Sequence, residues 1–344
     1  MRVAVVNSML PYIRGGAEIL ADDLVEQLRL FGHETDLIKI PFPSDYEGPL
    51  MNTITASRLL RFDAYERVIA FKFPAYCIRH EGKVMWLLHQ FRQMYELNGT
   101  EYGLEQNEVT KRMYQIVKKA DDLEIVNSRH IYTIAKEVSK RLMTYNGIPS
   151  EVIYTPLKDR KIYHCEKTGG YIFYPNRINS MKRQHLAVQA MKYVKSGVKL
   201  IIAGQCPEHE YMKTMTDFIA ENKIDDKVTI MDEWITDEKK AELLSKCLGV
   251  ISIPYKEDSP GLVTQEAQYS CKAVITCFDS GGTNEFVEDG VNGYIVENDP
   301  EQIAKKMDQL YEDKQKAEKM GLAGYNSVIE KDITWESTIR RLLK

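Results

Sequence analysis

Short apolar runs rich in valine and isoleucine alternate with stretches of helical period along nearly the whole chain, and this alternation narrows the fold more than any other feature. "RVAVVN" (2–7) reads as a strand. Ala17 to Phe31 places Leu20, Leu24, Leu28 and Phe31 at helical spacing, with Gly32 as the stop. "TDLIKI" (35–40) returns as a strand, and further strands are expected at 67–71, 83–89 and 123–128. The second half repeats the pattern at 170–177, 198–204, 227–232, 248–255, 272–278 and 293–297. Strands that alternate with helices in this way form parallel sheets covered on both faces. At 344 residues the chain suits two such domains, with the hinge expected in the proline-containing stretch 149–165. The expected class is therefore α/β, with two Rossmann-like, doubly wound domains facing across a cleft. Ligands then belong beyond the C-terminal ends of the strands.

Composition excludes several partners. Splitting the chain after Leu157 gives 19 Lys/Arg against 20 Asp/Glu, then 27 against 30, so neither half attracts nucleic acid. The N-terminal apolar run is too short for a signal segment, and no stretch is apolar enough to span a membrane. Six cysteines at 77, 165, 206, 247, 271 and 277 show no CxxC spacing. This predicts reduced thiols and a cytoplasmic location, and argues against zinc. No D-x-D triplet occurs, so no metal site of that kind is expected. Residues 109–141 hold eight Lys/Arg against four Asp/Glu, which fits a solvated helix face better than a lipid-docking one.

"EDSPGLVTQEA" (257–267) is the most informative loop. Pro260 and Gly261 open a helix and leave the amides of Gly261, Leu262 and Val263 as an anion site. Glu266 lies about two turns in and can accept hydrogen bonds from a diol, while Asp258 can accept from a sugar hydroxyl. Spacing alone favours the plainer alternative, a capped surface helix.

An ordered set of stretches changes that balance. "YPNRINSMK" supplies Arg177 and, five residues later, Lys182. "IIAG" (201–204) follows, then the loop above, then "SGGTNEFVEDGVNGYIV" with Gly281, Gly282 and Glu285; "RGGAE" (14–18) precedes the first helix. Together these resemble the retaining glycosyltransferases of GT-B fold, family 4, also called glycosyl transferases group 1. The resemblance implies sugar transfer from a nucleotide diphosphate sugar to a glycan, lipid-linked or small-molecule acceptor. It implies no cofactor and no metal, since Arg177, Lys182 and the helix amides would neutralise the leaving diphosphate.

The implied roles place Glu266 on the ribose, Asp258 on the sugar, the backbone near Trp234 against the base, and Glu285 on sugar or phosphate. Gly15 and Gly16 would let amides approach the donor from the N-terminal domain, with His89 at a strand end as a further contact. Arg92 and Tyr95 would line the acceptor side. The implied domains are 1–157 for the acceptor, 158–328 for the donor, and a helix over 329–344 crossing back to the first, with Trp335 and Leu342 or Leu343 as packing anchors. Peripheral contact with the cytoplasmic face of a membrane, in surface polysaccharide or glycolipid assembly, is a further expectation of the resemblance. The sequence departs from the family at Asp258, where an acid one methylene shorter follows Glu257, at Arg183, which replaces a common glycine, and at "YTPLK" (154–158). Nucleotide-sugar epimerase, phosphorylase and non-catalytic nucleotide- or glycan-binding functions are the alternatives.

Overall fold

A computed structural model describes residues 1–9, 15–42 and 47–344. The chain divides into two compact units, 1–156 with 333–344, and 157–332.

The first unit is built on β1 (Arg2–Met9), β2 (Glu34–Pro41), β3 (Arg67–Ala70), β4 (Lys83–Leu87), β5 (His130–Thr133) and β6 (Glu151–Val152), all parallel, in the order β2-β1-β3-β4-β5-β6. Helices α1 (Gly16–Leu30), α2 (Glu47–Leu59), α3 (Glu108–Glu124) and α4 (Lys136–Asn146) connect them. Val3, Ala4, Val5 and Val6 of β1 are all fully buried, as expected of a strand covered on both faces. Helix α1 buries Leu20, Leu24 and Leu28 and ends before Gly32 at φ +84°.

The expected strand at 123–128 is absent. Its first residues finish α3, where the Ile125 N–H donates to the Asp121 carbonyl at 3.0 Å. Leu123 and Val126 are exposed while Glu124 and Ile125 are buried, a helical rather than an alternating pattern. The strand lies instead at 130–133, so the basic stretch 109–141 is α3, β5 and the start of α4 rather than one helix face.

The second unit carries β7 (Tyr171–Pro175), β8 (Lys199–Ala203), β9 (Val228–Met231), β10 (Gly249–Ile251), β11 (Ala273–Cys277) and β12 (Gly293–Val296). All pairs are parallel, in the order β12-β11-β10-β7-β8-β9. Helices α5 (Gln184–Ala190), α6 (His209–Asn222), α7 (Asp237–Lys246), α8 (Leu262–Tyr269), α9 (Pro300–Glu312) and α10 (Lys314–Glu330) cover it. The chain's direction of winding reverses between β7 and β10, the place where such sheets open a crevice at their C-terminal ends.

Cys165 and Cys271 form a disulfide across 106 residues of sequence, with Cα atoms 5.1 Å apart, which corrects the expectation of six reduced thiols. The fold, not sequence spacing, makes these two neighbours; Cys77, Cys206, Cys247 and Cys277 are buried and unbridged.

The last helix, α11 (Trp335–Leu342), belongs to the first unit. Trp335, Ile339 and Leu342 enter its core. Arg341 reaches the Val152 carbonyl and the Glu151 carboxylate, each at 2.9 Å. Among the described residues, no helix is long and apolar enough to cross a membrane.

Candidate functional site

The loops leaving β7 and β10 meet at the reversal point of the second sheet. The Tyr255 N–H donates to the Met181 carbonyl at 2.8 Å, and the Tyr174 hydroxyl accepts from the Ile253 N–H at 3.2 Å while donating to the Lys182 carbonyl. A short 3₁₀ turn, Ser180–Lys182, is capped by Asn179, whose Oδ1 accepts from the Lys182 N–H at 3.0 Å. Arg177 is exposed at the strand end and makes no ion pair among the described residues. The Lys182 ammonium lies on Glu257 Oε2.

Both acids of this loop are fixed, but differently. Asp258 is buried, whereas the Glu257 side chain keeps 20% exposure beside Lys182. The backbone of Glu257 is held at both ends: its N–H donates to the Ser280 carbonyl at 3.2 Å, and its carbonyl accepts from the Gly282 N–H at 2.8 Å. A Cβ on Gly281 would fall 2.4 Å from the Glu257 carbonyl, and one on Gly282 would fall 2.6 Å from that of Asp258. The two glycines therefore allow two strand-end loops to touch, and the Gly282 amide is committed to the Glu257 carbonyl. Glu285 sits half-buried on the 3₁₀ turn that follows.

Arg183 was not expected to matter beyond replacing a glycine. It takes φ +57°, a region that favours glycine, and is buried. Its guanidinium donates to the carbonyls of Ile253 (2.7 Å) and Pro254 (3.0 Å) and to both carboxylate oxygens of Asp279.

Gly261, at φ +77°, caps α8, but its amide donates to Ser259 Oγ at 3.2 Å. That removes one of the three expected amide donors; the amides of Leu262 and Val263 make no hydrogen bond among the described residues. Glu266 is buried on this helix. Its Oε1 lies 2.6 Å from Lys240 Nζ, and its Oε2 is buried without a partner among the described residues. Lys240, on α7, also lies 3.2 Å from Asp237 Oδ1. Burial opposes its charge, yet Glu266 and Asp237 outweigh that and hold its pKa above the ordinary lysine value. The Tyr163 phenol lies close by; burial first, and the Glu266 carboxylate second, push its pKa up. Trp234 is exposed in the loop between β9 and α7. Sequence carried no signal for Lys240 or Tyr163, because only packing brings them to α8.

In the first unit, Gly15 and Gly16 open α1. The Gly15 amide donates to Glu18 Oε2 at 2.9 Å, and Glu18 pairs with Lys72 at 3.1 Å. A Cβ on Gly16 would meet nothing within 4 Å. Arg14 of the same stretch lies outside the described residues. His89 follows β4 half-buried, with Nδ1 2.6 Å from the Gln90 carbonyl oxygen. Tyr95 does not line a surface: it is buried, its hydroxyl on Asp121 Oδ2 at 2.7 Å, because its aromatic ring completes the core. Arg92 is held by Glu96 at 2.7 Å.

Two parallel Rossmann-like sheets, with a cationic turn and an acid-bearing helix start at the reversal point of the second, define the GT-B class of fold. Residues 157–327 match the model of the family "Glycosyl transferases group 1", so the second unit is a domain of that family. The alpha-1,3/1,6-mannosyltransferase ALG2 of Mus musculus is 28% identical over 233 residues, covering 61% of this chain and 55% of the relative. The chain thus matches about half the length of that curated relative. Among solved structures, Anabaena HepE in complex with UDP and glucose is similar with a TM-score of 0.75 and 16% identity, covering 100% of this chain and 99% of that one. Sucrose-phosphate synthase from Thermosynechococcus elongatus is similar with a TM-score of 0.79 and 15% identity, covering 99% and 97%.

Proposed function

We propose that this chain is a retaining, metal-independent glycosyltransferase that moves a sugar from a nucleotide diphosphate sugar to an acceptor hydroxyl. The observation that carries the reading is that, at one sheet reversal point, the turn after β7 bearing Lys182 meets the Glu257 loop that runs into α8 and its buried Glu266, with Arg177 exposed at the end of β7. A diphosphate there finds two cations and the amides of Leu262 and Val263, and the ribose finds Glu266. Asp258 or Glu257 meets the sugar, Glu285 the sugar or phosphate, and Trp234 borders the base. The first unit takes the acceptor, and Gly15, Gly16 and His89 are its candidate site residues.

In this reading no side chain is a nucleophile. The anomeric C–O bond breaks and its electron pair leaves on the β-phosphate, whose charge the cations stabilise. The acceptor oxygen bonds to the anomeric carbon on the same face, and its proton passes to the departing phosphate oxygen. A mannosyltransferase among the relatives and a UDP complex among the structural neighbours support a sugar-nucleotide donor. The acceptor falls to surface polysaccharide or glycolipid assembly at the cytoplasmic side of a membrane.

A thermal-shift panel of UDP, GDP, dTDP, ADP and NAD, each with magnesium and with EDTA, tests this. A nucleotide at 100 times its dissociation constant adds about 2.7 kcal/mol of stability. One nucleoside diphosphate is expected to raise the midpoint in EDTA, and its sugar conjugate to be consumed with acceptor present. Stabilisation by NAD alone, or by nothing, would overturn the reading, and conversion of the sugar nucleotide without acceptor would favour an epimerase.

A further inference from the structure

Among the described residues, Glu266 and Glu124 are buried acids paired at one oxygen and without a partner at the other, and of the two Glu266 lies on α8. Buried polar atoms without partners are rare in folded proteins, and one at a ligand site marks a place where a ligand group completes the set. The paired oxygen fixes the geometry. Lys240 comes from α7, a separate helix, and its ammonium spans Glu266 Oε1 at 2.6 Å and Asp237 Oδ1 at 3.2 Å. Asp237 therefore anchors Lys240, and Lys240 anchors the carboxylate. The Tyr163 phenol lies beside the carboxylate, whose charge helps to push its pKa up, while Oε2 itself has no hydrogen-bond partner among the described residues.

We propose that Lys240 is a positioning residue for nucleotide binding, acting through Glu266: it takes Oε1 and so presents Oε2 to the ribose hydroxyls. This rests on the reading of α8 as the nucleotide-binding helix. Without the ammonium, Oε1 would also lose its partner, the carboxylate would rotate, and the hydroxyl contact would weaken.

The test uses the full chain and isothermal titration with UDP and GDP, each compared with its 2′,3′-dideoxy form. For the nucleotide that binds, Glu266→Gln and Lys240→Met are each expected to lower affinity on the order of tenfold, and Lys240→Arg to recover most of it. For the dideoxy ligand, Lys240→Met is expected to bind as the unsubstituted protein does, because the hydroxyl it serves is missing. A structural role alone would weaken both ligands equally and so overturn the proposal. Unchanged affinity in Lys240→Met, with affinity lost in Glu266→Gln, overturns it too while leaving the nucleotide site in place. No effect of Glu266→Gln removes the ribose reading itself. If Lys240→Met does not fold, Lys240→Gln is read on the same pair of ligands.

Discussion

Arg183 grips Asp279 with two parallel hydrogen bonds, Nη1 to Oδ2 at 2.8 Å and Nη2 to Oδ1 at 2.7 Å, and so ties the turn after β7 to the loop after β11. The same side chain bonds the carbonyls of Ile253 and Pro254, so one guanidinium joins three strand-end loops.

Replacing it separates two effects. Arg183→Ala should cost about 1–3 kcal/mol, discounted because Asp279 is partly exposed. Arg183→Gly loses the same bonds but relieves the left-handed backbone at φ +57°, and should be more stable than the alanine variant by about 1 kcal/mol. Urea unfolding of both variants checks the order; an equal loss would mean the backbone at 183 is not strained.

Lys182 sits on Glu257, so a diphosphate bound as proposed would have to compete with a carboxylate. Lys182→Ala should lower kcat by roughly 10²–10³, by analogy with the loss of one oxyanion donor. Glu257→Gln should release the ammonium and tighten binding of the bare nucleoside diphosphate. Titration calorimetry and initial rates read the two separately, and a weaker diphosphate complex in Glu257→Gln would show that the pair orients Lys182 instead of occupying it.

Asp121 predicts a pH dependence in the first unit. Burial pushes its pKa from 3.8 up to about 7, against the opposing hydrogen bonds from Tyr76 at 2.6 Å and Tyr95 at 2.7 Å. The folded value lies above the unfolded one, so the contribution is fully present below about pH 4 and is lost as pH rises to about 7. The midpoint of unfolding followed from pH 4 to 8 should carry this downward component, and Asp121→Asn should remove it.

The Cys165–Cys271 bridge closes a loop of 106 residues. Its reduction should lower the stability of the second unit by up to about 4–5 kcal/mol in the chain-entropy account. Denaturation with and without a reductant, with thiol alkylation mapped by mass spectrometry, checks it. Alkylation of both cysteines before reduction would show that the bridge does not form in solution.

Much of this was readable in the chain. Strand runs such as "YIFYP" and "AVITC" are almost wholly apolar, and a strand buried on both faces leaves that mark. "LEIVNS" misled because β-branched residues at a helix end look like a strand, and only the packing of α3 decides between them. The strand "HIYT" is short and half-buried, with two polar members, so its pattern was faint. The loop at 257–267 was legible as a strand end running into a helix, but its contacts were not. Which amide Ser259 occupies, which oxygen Lys240 takes and which cysteine meets Cys165 all depend on contacts between distant segments.

The placement of α11 bears on how the protein is made. The first unit needs Trp335 and Leu342 in its core, and Arg67 bonds the carbonyl of Leu343 at 3.0 Å, so its hydrophobic interior is completed by residues at the opposite end of the chain. During synthesis, residues 157–332 are all extruded before 333–344 arrive, so the later-made unit can finish folding first. The earlier-made one waits with a groove unfilled. A nascent chain of this design exposes apolar surface on its first unit until residues 333–344 emerge, and synthesis that stopped before them would damage the half of the protein that was made first.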